Sequence, residues 1–105
     1  MNIKELTNNL LKISDLYAKR FAIERSSDWH LLKIQEELGE LSAAYLKLSK
    51  RARMCDVDPL ELKKKLEDEI ADVLAMLLLF ANDQDIDVEK AIKNKWYQYL
   101  PSEAD

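Results

Sequence analysis

The chain has 105 residues, a net charge of −4, one Cys, one Gly and two Pro. With 48% hydrophobic and 34% charged residues it reads as a single globular domain (1–105), and a disordered chain is excluded. The acidic balance argues against a general binder of nucleic acid or anionic membrane, and the lone Cys excludes internal disulfides and suits a reducing, cytoplasmic setting.

So few Gly and Pro point away from a turn-rich sheet protein and towards helices. Residues 1–16 mix Lys4, Glu5, Lys12 and Asp15 among apolar positions, unlike a signal peptide. Ile3, Leu6, Leu10, Ile13, Leu16 and Tyr17 repeat at three and four, which predicts an amphipathic helix over about 2–22. Ser26, Ser27 and Asp28 follow as a loop containing an N-cap, and the spacing leaves open which of the three caps. A second helix is predicted over about 28–53. Gly39 inside it costs about 1 kcal/mol against Ala. It either permits a close helix contact beside the neighbouring acids or is simply tolerated. Lys47, Lys50, Arg51 and Arg53 gather at the end of this helix, where cations complement its dipole.

Asp58-Pro59 predicts a capped helix entry with Pro in the first turn, and the short link before it makes the second and third helices antiparallel neighbours. The third helix is predicted over about 59–82. Its first half is partly wet, whereas from Ile70 to Ala81 only Asp72 interrupts an apolar run. That run is far too short to span a membrane. A helix apolar all round calls for burial all round. One short chain has too few other helices to supply it, so a homo-oligomer with this helix at its interface is expected. Asp85 or Asp87 would cap a fourth helix over about 88–99, and Pro101 marks its end. The fold expected is all-α: a four-helix protomer assembling into a dimeric bundle.

The carboxylates carry the chemistry. Glu36, Glu37 and Glu40 fall within about 100° of one helix face, at the shoulder of the apolar stripe formed by Ile34, Leu38, Leu41, Tyr45 and Leu48. Glu69 and Asp72 lie three apart where the third helix turns apolar. Burying Asp72 there without a partner would cost several kcal/mol. Two acids in such a place need a cation, a Lys or Arg, or protonation. Hard cations such as Mg²⁺ take oxygen ligands, so a divalent metal completed by phosphate oxygens is one reading. A charged interface network with Lys or Arg is the other. No covalent nucleophile stands out: Cys55 sits in a connection, and His30 reads as a residue of the helix start facing solvent or a base pocket.

Glu36-Glu37-x-x-Glu40 followed by Glu69-x-x-Asp72, set in Lys33 to Leu41 and Glu67 to Leu74, resembles the EExxE…ExxD signature of the MazG-like nucleoside triphosphate pyrophosphohydrolases. The resemblance covers roughly 29–95. It implies a helical protomer paired into a dimer, often doubled to a tetramer. It also implies Mg²⁺- or Mn²⁺-dependent hydrolysis of a (deoxy)nucleoside triphosphate between the α and β phosphorus atoms, releasing monophosphate and pyrophosphate. Many such enzymes are regarded as house-cleaning enzymes of the nucleotide pool.

Carried onto this chain, Glu36, Glu37, Glu40 and Asp72 would be metal ligands, with Glu69 a ligand or neighbour. Glu37 or Glu69 would orient the attacking water. Substrate contacts would come from Lys33, Lys93, Asn94 and Lys95, with Trp29 the better placed of the two Trp residues to stack on a base. Relatives usually carry a Lys with an Asn four positions later. Lys95 fits the Lys, but Tyr99 stands where Asn is expected, and Lys93-Asn94 reads as a shifted version. Phosphoribosyl-ATP pyrophosphohydrolase, with a similar acidic-helix arrangement, and a non-enzymatic helical dimerisation module are the alternatives.

Overall fold

A computed structural model describes residues 1–49 and 57–102. It contains α1 (Ile3–Phe21), α2 (Ser27–Leu48), α3 (Pro59–Asp83) and α4 (Val88–Trp96), the last continued by a 3₁₀ turn over Tyr97–Tyr99. Among the described residues there is no strand, as the composition predicts. α2 ends at Leu48 with Ser49 as its C-cap, short of the end expected near 53, because the Ser49 N–H closes the last turn on the Tyr45 carbonyl; Lys50, Arg51, Arg53 and Cys55 lie outside the described residues.

Side chains start each helix, Asp58 as the sequence suggests, and the structure decides the open cases. Asn2 Oδ1 accepts from the Glu5 N–H, Asp58 Oδ1 from the Leu60 N–H, and Asp87 Oδ1 from the Lys90 N–H. Of the three candidates before α2, Ser26 is the cap: its Oγ accepts the Trp29 N–H at 3.0 Å. Such caps are worth about 1 kcal/mol each. α1 ends differently from a Gly-capped helix. Ala22 takes the left-handed conformation (φ 51°), and the Ile23 N–H closes back on the Ala18 carbonyl at 2.9 Å. For a residue with a Cβ this conformation costs about 1–2 kcal/mol.

α2 packs along α3, and α1 lies against α3. Buried apolar side chains among the described residues are few: Ala18, Ala44, Leu62, Leu78, Leu79 and Ala81. The radius of gyration is 17.2 Å, against about 13 Å for a compact domain of this length. The middle of α3 departs from the all-round burial expected of it. Ile70 (50% exposed), Leu74 (49%) and Leu77 (47%) stay half in solvent, because α1 and α2 cover only part of the helix circumference. The second half of the α1 stripe, Ile13, Leu16 and Tyr17, is exposed too.

Among the described residues, Gly39 meets nothing within 4 Å of where a Cβ would stand. Within one chain, then, it supports no close helix contact, and the tolerated reading describes it. Gly39→Ala is expected to stabilise the folded chain by about 1 kcal/mol through helix propensity alone, read by urea unfolding. A loss of stability instead would mean that another helix approaches α2 there.

Candidate functional site: a carboxylate cluster between α2 and α3

Glu37 and Glu40 lie one turn apart on α2, and the packing of α3 against α2 brings Glu69 to them. One oxygen from each of the three carboxylates lies within 4.8 Å of the others. Glu69 is 2% exposed and its Oε2 meets no hydrogen-bond donor among the described residues; the same holds for Glu37 Oε2, on a side chain 15% exposed. Burial pushes the Glu37 carboxyl above the ordinary range, and its neighbours Glu40 and Asp72 push it the same way. Unpartnered carboxylate oxygens this enclosed are costly unless a cation or proton is supplied.

The other acids are placed differently. Asp72 is exposed, close enough to Glu37 to raise its pKa but outside the converging trio. The apolar sequence around Asp72 suggests burial. Instead Glu69, one turn earlier, is the enclosed residue, because it lies on the face of α3 turned to α2. Glu36 also stands outside the trio. It is exposed, and Lys33 donates to its Oε1 at 3.1 Å while lying 3.9 Å from Glu37 Oε1. Lys33 is thus beside the cluster.

Lys93, Asn94 and Lys95 are not brought to the acids within this chain. They sit on α4, beyond the end of α3, and about 20 Å of helix rise separates Glu69 from Asn82. Lys93 pairs with Glu89 at 3.2 Å and borders a cavity with Met1, Ile3 and Leu6. Trp29 lies two turns before Glu37, its ring edge-on to His30 at 5.1 Å.

Sequence reasoning missed Lys65, whose Nζ sits 2.6 Å from Glu69 Oε1. The signal was present: a Lys four residues before a Glu on one helix face. It looked like the other surface lysines of that segment because burial of Glu69 is not visible locally.

His30 is a second correction. It does not face solvent, but is 6% exposed with Nδ1 unpartnered among the described residues. The start of α2 is tied to the end of α3, where Ser27 Oγ donates to Asp83 Oδ2 at 2.6 Å and Gln84 Nε2 donates to both. From the α1 side Arg25 folds back on Asp15 and Ser14, both at 2.8 Å. A cavity of about 190 Å³ remains between these groups. Burial holds the His30 pKa below its usual value; Asp83 opposes this and Arg25 adds to it.

A lowered folded pKa means that the unfolded chain binds the proton more tightly. The stability associated with neutral His30 is therefore complete above about pH 6.5 and is lost as pH falls through the folded pKa. Melting temperatures between pH 8 and 5 are expected to drop more steeply for the native chain than for His30→Gln. Parallel curves would refute this.

Comparison of the chain with protein-family models, curated proteins and solved structures finds no match. Among the described residues no helix is long and apolar enough to cross a membrane. The fold and site define an all-helical protein with a carboxylate cluster between two packed helices.

Proposed function

We propose that the protein is a MazG-like, Mg²⁺- or Mn²⁺-dependent pyrophosphohydrolase that adds water across the α–β anhydride of a (deoxy)nucleoside triphosphate, releasing the monophosphate and pyrophosphate. The observation that carries this reading is the convergence of Glu37, Glu40 and Glu69, in which the buried Oε2 atoms of Glu37 and Glu69 have no donor among the described residues. An all-oxygen donor set of this charge suits a hard divalent cation. Bound there, the cation would supply electrostatic stabilisation of phosphoryl charge and acidify water.

This chain's residues divide the remaining work. Glu40 and Glu69 hold the cation, with Asp72 at the exposed margin as a further ligand. Glu37 lies in the cluster but is less enclosed than Glu69, which suits it to orient the attacking water and take its proton. Lys33 offers a cation beside the cluster to the phosphate chain. Trp29 offers a ring for stacking.

The half-exposed Ile70, Leu74 and Leu77 favour pairing of two copies through α3. Lys93, Asn94 and Lys95 would then reach a site from a second copy.

The test is product analysis. The protein is incubated with Mg²⁺ and a panel of ordinary and modified nucleoside triphosphates and phosphoribosyl-ATP, and products are separated by ion exchange. Monophosphate and pyrophosphate, absent with Glu37→Gln and Glu69→Gln, are expected. No turnover of any compound would leave a helical dimerisation module as the better account.

A further inference from the structure

Lys65 and Glu69 form one of several Lys–acid pairs at a spacing of four; Lys33 and Glu37 form another at the cluster, but at 3.9 Å, whereas Lys65 reaches Glu69 at 2.6 Å. Lys64–Asp68 and Lys93–Glu89 join two exposed side chains each. In Lys65–Glu69 the lysine is 62% exposed and the acid 2%. An exposed, flexible stem thus delivers an ammonium to a carboxylate that is otherwise enclosed, at the cluster formed with Glu37 and Glu40. The ammonium engages Oε1, and Oε2 has no donor among the described residues. Lys33 approaches the cluster from α2, donating to Glu36 and lying 3.9 Å from Glu37 Oε1, and is not paired with Glu69. Lys65 is thus the cation that offsets the charge of Glu69 in the described chain.

We propose that Lys65 is a resident counterion of the cluster: its ammonium holds the place at Glu69 that a divalent cation takes, and it must swing out for that cation to enter. The proposal rests on the metal reading above. An ammonium and a divalent cation on the same carboxylate repel each other and compete for its oxygens. The exposed stem makes departure easy, since Lys65 leaves into water and loses little packing. The device keeps Glu69 paired when no metal is bound and sets the metal concentration at which the site fills.

The experiment is calorimetric titration with Mn²⁺ at fixed ionic strength, using the native chain, Lys65→Met, Lys65→Gln and Lys64→Met. Loss of the competing ammonium is expected to tighten Mn²⁺ binding by about tenfold in both Lys65 variants. Lys64→Met removes the same charge next door, outside the cluster, and is expected to stay within about twofold of the native chain. Without metal, the Lys65 variants are expected to melt lower than the native chain, and Mn²⁺ should close the gap. Binding that is unchanged or weaker in the Lys65 variants would overturn the counterion role while leaving the metal site standing. Equal tightening by Lys64→Met would overturn it too, as a general charge effect. No Mn²⁺ binding by the native chain or any variant would overturn the metal reading itself, and the proposal with it.

Discussion

Glu69→Gln is expected to lower Mg²⁺-dependent hydrolysis by about 10²- to 10³-fold while leaving the metal-free protein at least as stable as the native chain. The two effects have one origin. Glu69 is 2% exposed and shares a confined space with Glu37 and Glu40, so its charge is costly without a cation and useful with one. Gln keeps the volume and removes the charge. Like-charge crowding is relieved, and Lys65, being exposed, is solvated by water when its partner goes. A divalent cation, by contrast, loses an anionic ligand, and losses of electrostatic stabilisation at a reacting phosphate reach that magnitude. Turnover with the panel of triphosphates and melting in the presence of a chelator check the two halves separately. A marked drop in metal-free stability would mean that Glu69 serves the fold through Lys65. Unchanged turnover would remove it from the site.

Leu74→Glu is expected to convert the protein to a monomer and to cost about 3 kcal/mol of apparent stability. Leu74 is half-exposed on α3, between Ile70 and Leu77, which are half-exposed as well. On a free surface such a substitution is worth no more than about 0.5 kcal/mol. At a helix–helix interface between two copies, it would bury an unpaired carboxylate, at a cost of several kcal/mol. Sedimentation velocity and urea unfolding at two protein concentrations separate these cases, because a dimer's stability depends on protomer concentration. A native chain that sediments as a monomer, with Leu74→Glu neutral, would refute pairing through α3.

Much of the fold was legible because helix signals are local. The repeat of Ile3, Leu6 and Leu10, the Asp58-Pro59 entry and the polar break before Val88 place four helices close to where they occur. The acidic spacing was legible for the same reason, since Glu37 and Glu40 share a face by helix geometry alone. Other features depend on which helix faces meet, and no local pattern encodes that. Ser26 was one of three equal caps until the start of α2 was tied to Asp83 and Gln84 at the end of α3.

Composition, periodicity and residue spacing thus determined an all-helical chain with two acidic groups on its second and third helices. The tertiary structure decided that Glu69 is enclosed and Asp72 is not, that Glu36 turns to Lys33, that Lys65 caps the cluster, and that His30 lies inside. The reason is physical: a helix sets the angle between its own side chains, whereas burial is set by the helix laid across them. About 60° around α3 separates Glu69, under α2, from Asp72 in water.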